Sequence, residues 1–464
     1  MDAYLLLDFG STYTKLTAVD IENEEILAAA KDITTIEDDI MTGFNNAYVE
    51  LEKQLEGKDV NFVKKIACSS AAGGLKMVAL GLVPELTAEA AKRAALGAGA
   101  RVLKVYSYDI NNEEAEEIKN SDADIILLAG GTNGGNKECI LSNARMIVEH
   151  KINIPIVVAG NKSANDEIRK LFEEAGLYFS VTENVMPALN TLNVEPAREE
   201  IRKVFMEKIT DAKGLSNAEN FVNGILMPTP AAVLKAARVL SEGSDEEEGI
   251  GDLIVVDIGG ATTDVHSIAD GEPTKAGVNM RGLEEPFAKR TVEGDLGMRY
   301  SAVSLWEACG TRKLRHYLND EDRKINIEEC CQYRYSHIKM VPETEEEIKF
   351  DEAMAKVATE LSLERHAGHI ENVYTPMGVV FNQIGKDLMK VKYMIGTGGV
   401  LVHSKNPGAI LNAGTFSKDD PTSLRPENPN CLLDKSYILS AMGLLAQDHP
   451  DKAVRIMKKY LVNV

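Results

Sequence analysis

Two aspartates, Asp8 and Asp257, each stand at the end of an apolar run that predicts a buried strand, and a glycine turn follows each one. Glycine has no Cβ, so its backbone N–H can approach a phosphate group closely. An aspartate at the end of a strand can hold Mg²⁺ through water. These residue types therefore indicate a site for phosphate groups and Mg²⁺. Each stretch taken alone fits a plain hairpin equally well.

The two stretches also match in register. Three residue pairs share a separation of 249 positions: Asp8 and Asp257, Gly10 and Gly259, and Thr14 and Thr263. A turn motif repeated at so great a distance predicts two structurally similar halves. Two such hairpins, facing each other across a cleft, would hold one polyphosphate from both sides.

The composition narrows the class of protein. A chain of 464 residues with 44% hydrophobic residues is too long for one core, and we expect about two to three folded domains. The formal net charge of −21 argues against binding to nucleic acid or to an anionic membrane. It permits ATP where Mg²⁺ and backbone N–H groups offset the negative field.

The cysteines and the apolar stretches predict a cytoplasmic protein. The six cysteines contain no C-x-x-C spacing, and a chain of this length needs no disulfide framework. We see no signal peptide before Tyr4 and no apolar stretch long enough for a membrane span.

The order of predicted elements divides the chain into two α/β lobes. The first lobe is expected at 1–245, with an α/β insertion near 121–191, and the C-terminal helix at 437–464 is expected to join it. The second lobe is expected at 250–436, with a mainly helical insertion near 293–390. Small residues in the predicted helices at both ends of the second lobe would let those two helices pack closely together.

Two further glycine clusters follow predicted strands. Gly396, Thr397, Gly398 and Gly399 would let a planar or anionic group lie against the backbone. The loop at 130–135, which begins Gly130-Gly131-Thr132, lacks the G-x-G-x-x-G spacing of a dinucleotide loop. The sequence is equally consistent with two roles for this loop, a contact with a ligand and a structural turn.

Taken in order, these motifs resemble those of the actin-like ATPase superfamily of actin, Hsp70 chaperones and sugar kinases. The resemblance implies two RNase-H-like lobes around Mg-ATP, with two crossing helices as the hinge. The matching residues are, for the first phosphate motif, Asp8, Gly10, Ser11, Thr12, Thr14 and Lys15; for the second, Asp257, Gly259, Gly260, Ala261, Thr262, Thr263 and Asp264; and for the adenosine motif, Gly396, Thr397, Gly398 and Gly399. Ala261 stands where Hsp70 chaperones usually have glycine.

A finer resemblance is to the glutamate mutase accessory protein L family, which is unrelated to the mismatch-repair protein of similar name. It covers the chain from end to end through LDFGSTYTK, CSSAAGGLKMVALGLVP, LLAGGTNGG, VVDIGGATTDV and EGDLGMR. The resemblance implies an ATPase that reactivates or assembles an adenosylcobalamin-dependent amino-acid mutase. The implied cofactors are ATP and Mg²⁺, and the implied partners are subunits of the mutase.

The expected roles follow from the two-lobe geometry that the resemblance implies. Asp8 and Asp257 would hold hydrated Mg²⁺, and a second group of residues would contact the β- and γ-phosphates: Ser11, Thr12, Lys15 and Thr262. Asp257 and Asp264 are the candidates for activating the attacking water. A small-molecule kinase of the same fold remains an alternative, although no acceptor-site pattern is evident. An actin-like filament protein is the other.

Overall fold

The computed structural model describes residues 1–10, 12–34, 40–70, 75–205, 207, 225–318, 325–376 and 378–464. These residues divide into two compact units. Unit 1 consists of Met1–Lys235 with Ser440–Asp448, and unit 2 consists of Ala236–Leu439 with His449–Val464. No helix in the described ranges is long and apolar enough to cross a membrane.

Strands and helices are interspersed from the beginning of the chain to residue 242. The strands are β1 (Asp2–Phe9), β2 (Tyr13–Asp20), β3 (Glu25–Ile33), β4 (Asn61–Ser69), β5 (Lys76–Gly81), β6 (Arg101–Ser107), β7 (Ile125–Leu128), β8 (Ile156–Val158), β9 (Phe179–Val181) and β10 (Ile225–Pro228). The helices are α1 (Ile40–Gln54), α2 (Glu89–Gly97), α3 (Asn112–Lys119), α4 (Glu138–Glu149), α5 (Asn165–Glu174), α6 (Glu195–Val204) and α7 (Thr229–Glu242). Short helical turns lie at Pro84–Ala88 and Lys162–Ala164.

The first sheet of unit 1 has the strand order β10-β4-β1-β2-β3. Strands β1, β2 and β3 form an antiparallel meander, whereas β4 pairs parallel to β1 and β10 parallel to β4. Leu5, Leu7 and Phe9 of β1 are buried with Phe44 and Leu51 of α1, which covers one face of the sheet. This core holds the end of β1, and with it Asp8, in place.

The second sheet of unit 1 is fully parallel and has the order β6-β5-β7-β8-β9. Its strands β7 and β8 are buried runs, as parallel strands covered on both faces should be. The sheet begins at Lys76, so this α/β region starts well before the insertion predicted near 121–191.

The remaining elements follow in chain order from residue 253. The strands are β11 (Leu253–Ile258), β12 (Thr263–Ile268), β13 (Val278–Arg281), β14 (Ala288–Glu293), β15 (His369–Thr375), β16 (Gly378–Ile384), β17 (Tyr393–Thr397), β18 (Asn430–Leu433) and β19 (Val462–Asn463). The helices are α8 (Ala302–His316), α9 (Ile327–Ser336), α10 (Glu345–His366), α11 (Gly399–His403), α12 (Pro407–Asn412), α13 (Leu439–Leu445) and α14 (Pro450–Tyr460). The region predicted as a mainly helical insertion holds α8, α9 and α10, and it also holds the hairpin β15–β16.

The main sheet of unit 2 has the order β14-β12-β11-β17-β18-β19. Its first three strands are antiparallel neighbours, β17 pairs parallel to β11, and β18 pairs parallel to β17. Five neighbouring strands of this sheet, β14-β12-β11-β17-β18, thus repeat the order and directions of β3-β2-β1-β4-β10 in the first sheet of unit 1. This repetition confirms the predicted α/β fold class with two RNase-H-like sheets.

Candidate functional site

The first hairpin turns tightly between β1 and β2. The Gly10 backbone N–H donates to the Tyr13 carbonyl at 3.1 Å. A Cβ built on Gly10 would lie 2.5 Å from that same carbonyl oxygen, so no other residue fits the turn without a shift. Ser11, predicted as a phosphate contact, lies outside the described residues. Thr12 is exposed at the tip of the turn.

Asp8 is the centre of a polar cluster in unit 1. Its carboxylate is 4% exposed and accepts hydrogen bonds from the Thr229 hydroxyl at 2.6 Å and the Ser440 hydroxyl at 3.1 Å. The Lys15 ammonium lies 3.7 Å from the same carboxylate. Thr229 begins α7 and Ser440 lies in the first turn of α13, so both small-residue helices contribute to this cluster.

Cys68 borders the same carboxylate from the neighbouring strand β4. Its thiol lies 3.7 Å from Asp8 Oδ1, and the residue is fully buried. Burial, reinforced by the negative charge of Asp8, raises the pKa of the Cys68 thiol well above its usual value. Cys68 therefore stays a neutral thiol and is no nucleophile here.

The Asp8 cluster meets the requirements of a Mg²⁺ site. Mg²⁺ keeps several waters and is bound by one or two carboxylates together with substrate phosphates, so a full protein cage is not expected. The described residues contain no group of three or more His, Cys, Asp or Glu side chains suited to a metal. A single strand-end carboxylate with hydroxyl and ammonium neighbours fits the Mg-nucleotide mode and does not fit a structural metal.

Strand β11 leads into the second hairpin, which has the same turn geometry. The Gly259 N–H donates to the Thr262 carbonyl at 2.9 Å, as Gly10 does to Tyr13 in the first. Asp257 is partly exposed, and its register partners are Asp264 on β12 and Thr397 on β17. The position that pairs with the aspartate across the hairpin is Lys15 in the first case and Asp264 in the second.

The carbonyl groups of this turn accept hydrogen bonds from the segment 298–301. The Met298 and Arg299 N–H groups donate to the Gly259 and Gly260 carbonyls at 3.0 and 2.8 Å, and the Ser301 hydroxyl donates to the Ala261 carbonyl. Within the described part of the chain, no acceptor meets the backbone N–H groups of residues 260–262. A rigid turn with bare N–H groups is suited to an anion such as phosphate.

Asp264 is held in a buried ion pair. Its carboxylate is 2.8 Å from Arg290 Nε, and it also accepts a hydrogen bond from the Thr262 hydroxyl at 3.0 Å. Burial, and the nearby Arg290 charge, lower the pKa of the adjacent His266 to about 3. With both carboxylate oxygens engaged by protein donors, Asp264 is placed to orient Thr262.

Thr14 and Thr263 occupy equivalent positions, and both are fully buried. The Thr14 hydroxyl is 3.1 Å from the Thr34 hydroxyl, and the Thr263 hydroxyl donates to the Leu296 carbonyl at 2.6 Å. Their hydroxyls thus hold the hairpins from inside, while the ligand contact predicted for them stays a prediction.

The glycine cluster 396–399 spans the end of β17 and the start of α11. Gly398 has φ +105°, and a Cβ there would lie 2.3 Å from the Ile258 carbonyl oxygen, so the loop lies directly against the end of β11. The Thr397 hydroxyl donates to Asp434 at 3.2 Å. Asp434, which is 1% exposed, also accepts from the backbone N–H groups of Ile438 and Leu439. Asp434 therefore fixes the loop to the chain that begins α13.

The loop that contains Gly130, Gly131 and Thr132 belongs to the other sheet of unit 1, at the carboxyl end of β7. Gly131 has φ +71°, and a Cβ there would lie 1.9 Å from the Asn136 carbonyl oxygen. The Asn161 N–H donates to the Gly130 carbonyl at 3.1 Å. The nucleotide contact predicted for these three residues stays a prediction.

The motifs alone did not identify Thr229, Ser440, Asp434 or Arg290. Thr229 carried one signal, because it starts a helix directly after a proline and a strand. Ser440 lies in the small-residue helix predicted at 437–464, whereas Asp434 and Arg290 have no motif around them. Only the folded chain shows the contacts of these three residues.

A comparison with known proteins places the chain in one family. The model of the MutL protein family matches residues 4–461. A curated relative described as "Protein MutL" from Clostridium tetanomorphum is 76% identical over 464 residues, with all of both chains covered.

Solved structures resemble the chain only distantly. The ethanolamine utilization protein EutJ from Carboxydothermus hydrogenoformans is 11% identical, with 95% of this chain and 88% of that chain covered and a TM-score of 0.31. A gluconate kinase from Lactobacillus acidophilus is 10% identical, with coverages of 100% and 92% and a TM-score of 0.35. The family match and the relative with 76% identity carry the assignment, and the chain belongs to the MutL protein family.

Proposed function

We propose that this protein is a Mg-ATP-binding ATPase that acts as an accessory factor for an adenosylcobalamin-dependent amino-acid mutase. The observation that carries the nucleotide site is the pair of equivalent hairpins, each with an aspartate at the strand end and a glycine N–H closing the turn. The mutase partner is supported by membership in the MutL family and by the motifs shared with glutamate mutase accessory proteins.

In this proposal Asp8 and Asp257 would hold hydrated Mg²⁺, which when bound would offset the charge of the phosphates. Lys15 supplies a positive charge beside Asp8, and the N–H groups of residues 260–262 donate to phosphate oxygens. Thr229 and Ser440 hold the Asp8 carboxylate in one orientation. Asp264 orients the Thr262 hydroxyl, and Asp257 is the carboxylate that we propose positions the attacking water.

Loss of the terminal phosphate would remove a group that the proposed site contacts. Thr229 and Ser440 connect the Asp8 cluster to α7 and α13, so a change at Asp8 would be felt at those helices. ATP hydrolysis would then serve to shift the population of conformations that bind the partner, and fast chemistry would not be needed. We therefore expect slow ATP turnover.

The first test replaces each strand-end aspartate. Asp8→Asn and Asp257→Asn should each lower Mg-dependent ATP turnover by at least about 100-fold, because each removes a charge that positions Mg²⁺. Asp245→Asn, in the acidic run at 242–249, is the matched control and should leave the rate unchanged. Phosphate release is measured on folded protein, and unchanged turnover in either aspartate variant contradicts the site.

The second test concerns the partner. Affinity capture from native extract, with and without ATP, should recover a cobalamin-dependent mutase in a nucleotide-sensitive way. A phosphorylated small molecule formed under ATP would instead indicate a kinase, and nucleotide-dependent filaments by light scattering would indicate a cytomotive protein.

A further inference from the structure

The parallel sheet of unit 1 has a topology that is associated with a ligand site. Counted in chain order from β5, its strands lie in the order 2-1-3-4-5, the doubly wound arrangement of flavodoxin-like sheets. Ligands of such sheets bind outside the carboxyl ends of the strands, typically at the switch point, which here lies between β5 and β7; the cleft described below lies at the same edge, beside β7, β8 and β9. The carboxyl ends of β7, β8 and β9 lead into the loops 129–135, 159–164 and 182–187.

A cleft of about 510 Å³ lies at this edge, within the range typical of small-molecule sites. Its lining includes residues from all three loops and from the first turns of α5: Asn133, Lys162, Asn165, Arg169, Thr182 and Asn184. None of the residues that contact Asp8 lines it.

Two buried amide side chains hold the glycine loop beside this cleft, and one of them, Asn184, also lines it. Asn161 is fully buried, donates to the Gly135 and Asn136 carbonyls, and accepts from the Gly134 N–H. Asn184 is 3% exposed and donates to the Gly131 carbonyl at 2.9 Å. The glycine loop is therefore rigid before any ligand binds, which lowers the entropic cost of binding.

Several side chains that line the cleft lack a charged or hydrogen-bonding partner among the described residues. Neither the Lys162 ammonium nor the Arg169 guanidinium has a carboxylate partner among the described residues. The Asn165 side-chain oxygen is buried and has no hydrogen-bond partner in those residues. The acidic lining residue, Glu183, accepts from the Asn193 amide at 2.9 Å.

These features define the chemistry of the ligand. Lys162 and Arg169 both line the cleft, and two cationic side chains suit a phosphate group. The Asn165 oxygen needs a donor, which a ligand hydroxyl would supply. Among the described residues, the apolar part of the lining is Val181 and Pro187, with no aromatic ring, so these residues offer no stacking surface for a flavin or a base.

We propose that this edge of the parallel sheet binds a small hydroxylated phosphate ester, at a site other than the proposed ATP site. Arg169 and Lys162 hold the phosphate, and the asparagine side chains with Thr182 hold the hydroxyl groups. The glycine loop 130–135 positions Asn133 for this ligand.

The test is calorimetric binding to the full chain at fixed ionic strength, with ribose 5-phosphate, inorganic phosphate and ribose as probes. Ribose 5-phosphate should bind saturably and more tightly than inorganic phosphate, with ribose undetectable. Arg169→Gln and Lys162→Gln should each weaken ribose 5-phosphate at least tenfold. Lys170→Gln is the matched control, since Lys170 lies on the same helix with its side chain 77% exposed, and it should bind as the unchanged chain does.

Three outcomes would overturn the proposal. The first is no saturable binding of ribose 5-phosphate, and the second is equal affinity in the Arg169→Gln and Lys170→Gln variants. The third is binding that Asp8→Asn abolishes and Arg169→Gln spares, because the probe would then occupy the hairpin site. Circular dichroism and melting curves verify that every variant is folded. ATP turnover is measured separately, so failure here leaves the proposed ATPase site unaffected.

Discussion

At the scale of single residues, the most informative feature of unit 2 is a fully buried lysine. The Lys386 ammonium donates to the Phe287 carbonyl at 2.8 Å and lies 3.5 Å from the Ser267 hydroxyl. Ser267 is also 2.8 Å from the ring of His366, which is buried as well. Burial, with the nearby charge of Lys289, lowers the pKa of Lys386 to about 7, and Glu285, Asp252 and Asp270 act in the opposite direction.

This lysine predicts a pH-dependent stability. Between about pH 7 and 10.5 the unfolded chain binds a proton at Lys386 that the folded chain does not, so the free energy of unfolding rises with pH across that window. The slope contributed by one such group is at most about 1.4 kcal/mol per pH unit. Lys386→Met should remove this slope in urea unfolding at pH 7, 8 and 9.

Lys390→Met is the control for this prediction, because Lys390 is exposed on the same segment. Its unfolding curves should keep the slope of the unchanged chain. A Lys386→Met variant that keeps that slope as well would show that Lys386 titrates as an ordinary exposed lysine.

At the scale of elements, the close packing predicted between the two small-residue helices is confirmed within unit 1. A Cβ built on Gly443 of α13 would lie 1.9 Å from the backbone carbonyl oxygen of Ala232 on α7. A backbone oxygen cannot move aside as a side chain can, so this approach requires glycine. The same approach carries Ser440 and Thr229 to Asp8.

Gly443→Ala tests this helix contact through the sign of its effect. In an open helix position this change stabilises by about 1 kcal/mol. Here the added methyl group must separate the helices, and the free energy of unfolding should fall by about 2 kcal/mol or more. The affinity for ATP should also fall, because Ser440 would move away from Asp8 and lose its hydrogen bond to that carboxylate. Increased stability in chemical denaturation would contradict the close approach.

At the scale of the whole molecule, the proposal that one nucleotide contacts both hairpins makes a prediction about melting. A ligand at 100 times its dissociation constant stabilises the state that binds it by about 2.7 kcal/mol. Mg-ATP should therefore raise the melting temperature of the full chain, and Asp8→Asn and Asp257→Asn should each remove most of that shift. A shift lost in one variant only would place the nucleotide on a single unit.

The sequence by itself determined the two hairpins and the similarity of the two sheets. Both depend on short-range chemistry: an apolar strand, a strand-end aspartate and a tight turn at a glycine. These signals are local, so Asp8, Gly10, Asp257 and Gly259 could be recognised without coordinates, and the strand orders confirm the predicted repetition. The family match confirms the resemblance that the motifs indicated.

Only the tertiary structure decided which side chains surround these motifs. Ser440 lies 432 positions from Asp8 along the chain, and Arg290 reaches Asp264 from a neighbouring strand. No local pattern predicts such pairings, because they depend on the packing of distant elements. The burial of Thr14 and Thr263, and the cleft beside Asn165, are consequences of the same packing. The sequence thus determined where the turns lie, and the fold decided which hydroxyls, charges and amides face a ligand.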